Sequence, residues 1–340
     1  MLLGLGIPTC REGVAYSPGF ASPREIVGMA HAAAAAGYDS IWGNQHLLTQ
    51  QAVAATAAQP PSYYDPLVIM SYLAAKVAEV QLVFGTLVAP AHHPLVLAKQ
   101  LATLDQLSGG RVVVGLGIGA YAEETDALAR PGSPRRHRGR TLDELIGALR
   151  ALFTEQLATF HGTEFEFDDA QSYPKPIGDL AILTSGDSPA GIERAARLGD
   201  GWIIASRSPE EILERRERMA DLLGEHGRPD ARLELAAQAW VCLGADDAEA
   251  ERRLLDTQHF RRLLHMSDSA TGELIDDFRR RNLLGSVDAV VCRVAEYEAA
   301  GVDHLALVFL GADARSVVDD ARRLAKALGR RPVAGEVSAA

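Results

Sequence analysis

The sequence lacks the features that mark several broad protein classes. It has three cysteines, Cys10, Cys242 and Cys292, far apart and without CxxC spacing, so neither a disulfide framework nor a thiolate zinc site is indicated. That usage fits a reducing cytoplasm. No apolar stretch reaches the ~18 residues of a membrane span, and the N-terminal MLLGLGIPTC has neither the basic flank nor the apolar length of a secretory signal. No long basic block is present, and acidic residues outnumber basic ones by 45 to 34, which argues against a nucleic-acid partner. Proline-rich and low-complexity linkers are also missing, so nothing in the composition divides the chain.

What is present is alternation. Apolar runs at 2–7, 38–42, 83–88, 111–117, 180–184, 201–204, 233–242 and 304–309 read as eight strands. Helical patterns separate them: 23–36 behind Ser22 and before Gly37, 66–78, 95–104 before Gly109 and Gly110, 140–152, 189–198, 209–225 and 313–328. Residues 121–137 read as a loop, 158–168 as a polar hairpin, and 246–299 as mostly helical. Eight strands alternating with helices predict an α/β fold, a single (β/α)8 TIM barrel over 1–329 with insertions after strands four and seven, and a flexible tail over 330–340. A doubly wound sheet would instead place GxGxxG after the first strand. Here Gly115, Gly117 and Gly119 follow the fourth, in GxGxG spacing.

In a barrel, chemistry gathers at the C-terminal strand ends. Those ends carry Thr9, Gln45 and His46, Thr86 to Val88, Gly117 to Tyr121, Ser185 to Ser188, Ser206, and Gln238 with Trp240. One acid/base candidate, His46, stands among hydroxyls, glycines and aromatics, an inventory that suits a planar, phosphate-bearing cofactor better than a metal. His92 and His93 precede Pro94 at a helix start with no third ligand, so no metal is expected. Gly186, Asp187 and Ser188 lead into a helix with Pro189 in its first turn, where free N–H groups and the dipole favour an anion. A plain serine cap explains Ser188 equally well. Trp42 either stacks on a ligand or fills the core. Arg135, Arg136, His137 and Arg138 offer either an anion clamp or a solvated loop.

The segments AAAAAGYDSIWGNQH, VFGTLVAPAHHPLVLAKQLATLDQLSGGRVVVGLGIGAYAEE, RGRTLDELIGALRALF, YPKPIG, SGDSPAGIERAARLGDGW and EAAGVDHLAL together resemble the bacterial luciferase-like superfamily of flavin and deazaflavin oxidoreductases. The resemblance spans nearly the whole chain. It implies a barrel that binds reduced FMN or coenzyme F420, with His46 as the motif histidine and Glu123, next to Glu124, as an acid in the loop after strand four. It places the cofactor ring against Thr86, Leu87, Val88, Gly117 and Tyr121, with a non-proline cis peptide expected at Leu87–Val88, and the phosphate at Gly186, Asp187, Ser188 and Gly191. A small-molecule substrate, a homodimer and, for an FMN enzyme, a separate flavin reductase are implied as well.

The chain departs from the family pattern at three points. Ile118 stands where luciferase has a phosphate-binding arginine, Gly191 replaces a phosphate-binding hydroxyl, and Gln45 replaces an acidic residue before the histidine. These departures leave phosphate anchorage to backbone N–H groups or to another basic residue, such as Arg207, and keep open a non-catalytic or degenerate flavin-binding relative. A phosphate-binding lyase or isomerase barrel is the reading without redox chemistry. Reduced FMN would direct the chemistry to monooxygenation and F420 to hydride transfer, and the segment pattern leans slightly to F420.

Overall fold

A computed structural model describes residues 1–57, 59–128 and 137–331. Eight parallel strands close into a barrel: β1 (Leu2–Gly6), β2 (Ser40–Gly43), β3 (Gln81–Val88), β4 (Val112–Gly117), then, beyond the antiparallel hairpin β5 (Ala158–His161) and β6 (Glu166–Ala170), β7 (Ile182–Ser185), β8 (Gly201–Ala205) and β9 (Glu234–Gly244), and finally β11 (His304–Phe309). The order β1-β2-β3-β4-β7-β8-β9-β11 returns to β1, and β8 pairs with β9 to complete the ring. All eight strands of the sequence reading are present. It missed β10 (Leu283–Ser286), inside the helical insertion, which pairs with the far end of β9 from Val241 to Gly244.

The strands read as unbroken apolar runs because both faces are covered. On β3 and β4, Leu82, Phe84, Leu87, Val112, Val114 and Leu116 face the helices, whereas Val83 and Val113 join Trp42, Leu183, Ile203, Ala236 and Ala306 inside the barrel. Trp42 is by far the largest of the interior set and is fully buried, so it fills core. Its Nε1 donates to Ser40 Oγ at 2.8 Å, Ser40 lies 2.6 Å from His304 Nε2, and His304 Nδ1 lies 3.2 Å from Glu234 Oε1. This polar chain anchors one end of the indole. The other end meets Gly85, where an added Cβ would lie 2.4 Å from Trp42 Cε3. Only glycine allows that approach.

Arg111, the arginine of the LSGGR segment, is a structural pin. Its guanidinium donates to the carbonyls of Ser108 at 2.6 Å, Val77 at 3.0 Å, Val80 at 2.9 Å and Ala74 at 2.9 Å. It thereby satisfies carbonyls that the end of the helix Pro66–Lys76 leaves open. At the other end of the chain, Arg330 donates to Gly37 O at 3.0 Å and pairs with Asp39, so the chain is held to the barrel up to that point, and the rest of the expected tail, 332–340, lies outside the described residues. Replacing Arg111 by methionine orphans four carbonyls and should cost about 2–4 kcal/mol. Urea unfolding measures it, and a loss under ~1 kcal/mol would show that water substitutes freely for the guanidinium.

Candidate active site

The C-terminal strand ends converge on His46. It follows β2, and its Nδ1 lies 3.2 Å from both carboxylate oxygens of Glu124. Glu124 sits in the short helix Ala122–Asp126 after β4 and is fully buried. Its Oε1 also accepts from Leu47 N at 3.1 Å, Leu48 N at 3.4 Å and Gln50 Nε2 at 3.0 Å. Burial pushes its carboxyl up, but the bonds from His46, Gln50 and the Leu48 backbone outweigh that effect and hold it below the ordinary value. Glu124 is therefore an ionised acceptor at neutral pH.

Glu123, the acid expected from sequence, points elsewhere. Its carboxylate accepts from Gln51 N at 2.9 Å in an exposed position, and its neighbour takes the place beside the histidine. On a single helical turn adjacent residues face directions ~100° apart, so a one-residue ambiguity decides which acid enters the site. Aromatic rings flank the pair. Tyr63 and Tyr121 have centroids 5.8 Å and 5.6 Å from the His46 ring, and Tyr63 OH donates to Gln50 Oε1 at 3.1 Å. Gln50 and Tyr63 come from a loop with no readable motif, and sequence reasoning missed both.

Gln45 has its own task. Its Oε1 accepts from Val88 N and from His92 Nε2, each at 2.9 Å, and burial pushes His92 down to about 4, so a neutral ring donates at pH 7. A carbonyl oxygen accepts both bonds without a buried charge, which accounts for glutamine here in place of an acid. His93 accepts from Leu95 N at the start of its helix. The two histidines thus have separate structural partners. Among the described residues no three His, Cys, Asp or Glu side chains gather around one point.

At the end of β3 the non-proline cis peptide is Gly85–Thr86, which corrects the expected Leu87–Val88. The pairing of β3 with β4 shifts register between Phe84 and Leu87, and the irregular bond lies within this bulge, two residues upstream of the expected position. Leu87 is fully buried among the residues facing the helices, so its side chain does not reach the mouth. Thr86 and Gly117 do meet there: a Cβ on Gly117 would lie 3.0 Å from Thr86 Oγ1. Gln238 Nε2 donates to Gly85 O at 2.9 Å, and Gln238 Oε1 accepts from Arg11 at 3.2 Å.

After β7, Gly186 has φ +137°, a conformation that disfavours side chains, and its carbonyl accepts from Trp202 Nε1 at 2.8 Å. Ser188 caps the helix Pro189–Leu198 by accepting from Gly191 N at 3.2 Å, while the Ser188 and Ala190 N–H groups have no acceptor among the described residues. A Cβ on Gly191 would lie 2.9 Å from the Gly186 backbone, so the hydroxyl expected of relatives has no room. Asp187 does not oppose an anion here, because Arg207 and Arg215 both pair with its carboxylate. Arg207 is thereby committed and is not a free anchor. The free N–H groups and the helix dipole fit a phosphate. Of the expected 135–138 clamp, Arg135 and Arg136 lie outside the described residues, and Arg138 donates to Gly119 O at 2.9 Å.

The profile of the family described as "Luciferase-like monooxygenase" matches residues 1–304. Relatives include the FMNH(2)-dependent dimethylsulfone monooxygenase of Pseudomonas fluorescens (strain Pf0-1), 26% identical over 79% of this chain and 79% of that one. The F420-dependent glucose-6-phosphate dehydrogenase of Amycolatopsis mediterranei (strain U-32) is 26% identical over 83% of this chain and 87% of its own. Among solved structures, an F420-dependent secondary alcohol dehydrogenase in complex with an F420-acetone adduct superposes with TM-score 0.77 at 19% identity, over 96% of this chain and 98% of the other. At that identity the likeness speaks for the fold.

The ionised Glu124 gives a pH signature. Its folded pKa lies below the ordinary 4.5, so its contribution to stability is complete above pH 4.5 and is lost as pH falls through the folded value. Urea unfolding across the acid range should show a steep loss in the native chain and a shallower one in Glu124→Gln. Parallel curves would mean that the carboxylate is not held ionised.

Proposed function

Because the chain belongs to the luciferase-like monooxygenase family across residues 1–304, we propose that it is an oxidoreductase using reduced FMN or the deazaflavin coenzyme F420 on a small organic substrate. The observation that carries this reading is the His46–Glu124 pair at the barrel mouth, flanked by Tyr63 and Tyr121. The cofactor ring, when bound, supplies the two-electron chemistry: hydride transfer with F420, oxygen chemistry with reduced FMN.

The residues of the chain supply proton handling and position. Glu124 accepts the Nδ1 proton of His46, which fixes the tautomer and leaves Nε2 to take or give the proton that accompanies reaction. Thr86, Val88, Gly117 and Tyr121 line the ring side. The N–H groups of Ser188 and Ala190, beside Gly186 and Gly191, would hold the phosphate, with Asp187 neutralised by its two arginines. Leu87 contributes backbone alone. A degenerate, non-catalytic relative finds no support, since the histidine and its buried acid partner are both in place.

Between the cofactors we favour F420. An ionised carboxylate behind a histidine suits the transfer of a proton to or from an alcohol or carbonyl oxygen during hydride transfer, and the segment pattern leans the same way. The FMN reading, monooxygenation with a separate flavin reductase, is supported by an FMNH(2)-dependent relative of equal identity. A homodimer is proposed from Val68, Tyr72, Val96 and Leu107, apolar side chains exposed on the adjacent helices Pro66–Lys76 and Pro94–Ser108. A cytoplasmic setting is proposed from Cys292, exposed and unpaired, and no described helix is long and apolar enough to cross a membrane.

Anaerobic titration of the protein with FMN, reduced FMN and F420 tests the assignment. Tight binding of F420 alone is expected, selective binding of reduced FMN would shift the chemistry to monooxygenation, and binding of none would sink the redox reading. His46→Ala should lower turnover about 100-fold or more while cofactor affinity stays within about 3-fold. Light scattering should give twice 36.4 kDa, and a monomer would remove the dimer proposal.

A further inference from the structure

Many arginines of this chain pair with acids, as Arg140 does with Glu164, Arg150 with Asp200 and Arg253 with Asp320, and others, such as Arg111 and Arg228, are satisfied by backbone carbonyls. Arg11 and Arg262 have neither kind of partner among the described residues. Arg11, in the loop after β1, is 93% buried by its 7% exposure, yet no carboxylate reaches it among the described residues. Its one hydrogen bond goes to neutral Gln238 Oε1 at 3.2 Å, its Nε is buried with no partner, and its guanidinium lies 5.3 Å from the Trp240 ring centroid. The adjacent acid, Glu12, is turned away and accepts from Phe20 N and Ser62 N.

Arg262 comes from the helix Gln258–Met266 in the insertion after β9 and repeats the pattern. It donates to Tyr121 OH at 2.8 Å, its Nε is buried without a partner, and it forms no ion pair among the described residues. His259, packed at a tilt against Trp240 with ring centroids 4.3 Å apart, feels the charge of both arginines, and its buried Nδ1 also lacks a partner. Burial first, then the charge of Arg262 and, more weakly, that of Arg11, push its imidazole down to about 3 against the opposing pull of the Val14 backbone, so the ring is neutral at working pH. Phe278, the third ring of this cluster, is 5.8 Å from His259 and brings no charge. Three orphaned buried donors or acceptors therefore meet at one corner of the mouth. In a chain with net charge −11 this is not a shortage of acid. Buried positive charge without a counter-ion is unfavourable and is retained where a ligand supplies the missing charge.

We infer that Arg11 and Arg262 form a subsite for the oxyanion of an acidic organic substrate, a carboxylate or a sulfonate, with Trp240 and Tyr121 against its apolar part. This rests on the redox reading only for what happens to the substrate afterwards. Two sources of an oxyanion exist, the substrate and the cofactor, and barrel order separates them. Arg11 follows β1 and Gly186 follows β7, which are four strands apart in either direction round an eight-stranded ring. The helix N-terminus at Gly186 is thus diametrically opposite the arginines, and a cofactor phosphate held there leaves this corner to the substrate. The phenol of Tyr121 links the subsite to His46, whose ring is 5.6 Å away.

Calorimetry on the full chain, with and without FMN or F420, tests this with hexanoate and hexane-1-sulfonate as probes and hexanamide and hexan-1-ol as neutral controls. An anion should bind at least about 10-fold tighter than its neutral control, and Arg11→Gln and Arg262→Gln should each remove most of that preference, while Arg11→Lys keeps part of it. FMN or F420 affinity should change less than about 3-fold in these variants. Equal binding of hexanoate and hexanamide, absence of binding by either anion, or a preference that survives both glutamine variants would overturn the inference. So would loss of cofactor affinity in Arg11→Gln without loss of anion binding, which would assign the arginines to the cofactor. If Arg11→Gln fails to fold by circular dichroism, Arg262→Gln, on the half-buried helix, carries the test. Anion preference in a protein that binds neither cofactor would sink the redox reading and leave this one standing; cofactor binding without anion preference would do the reverse.

Discussion

One buried carboxylate organises the mouth of this barrel. Glu124 collects donors from His46, Gln50 and the backbone of Leu47 and Leu48, so the loop after β2 and the loop after β4 are tied at one point. A carboxylate in a dry site is tolerated only when its lone pairs are satisfied, and here four groups share that task. The same bonds orient the histidine. Loop order and proton chemistry are therefore one interaction, and neither is separable from the burial of the acid.

Below that point the barrel transmits position through packing. Trp42 stands in the interior with its indole N–H held by Ser40, beside His304, and its opposite edge against Gly85. Gln238 holds the Gly85 carbonyl from the next side and receives Arg11. The strand end that faces the ring site is thus clamped between an apolar contact beneath and an amide at its flank. Arg111 performs a comparable service at the foot of the barrel, closing helix carbonyls that no backbone donor can reach.

Much of this was legible in the chain. Eight strands emerged because their short, β-branched apolar runs alternate with longer helical patterns and are bounded by glycine and proline, and His46 emerged because it follows a strand in a recognisable segment. What failed has local causes. The strand β10 runs directly from one helix, Thr271–Arg281, into the next, Val287–Ala299, so its four residues do not interrupt the helical pattern. The choice between Glu123 and Glu124 depends on the phase of a five-residue helix, and the cis bond at Gly85–Thr86 on a bulge that shifts register, neither of which periodicity encodes. Arg262 lies one helical turn from His259, but Arg11 is 251 residues from Arg262 and reaches that ring only when the barrel closes and its long insertion folds over the mouth.

The three tryptophans of the chain have an optical consequence. Trp42 lies under Gly85, Trp202 is bonded to the carbonyl of Gly186, and Trp240 packs at a tilt against His259 beside Arg11. Each indole reports on a different corner of one face: the ring platform, the helix N-terminus and the arginine pocket. The intrinsic emission of this protein is therefore a three-channel map of its own mouth, and variants retaining one indole at a time would resolve the order in which ligands arrive.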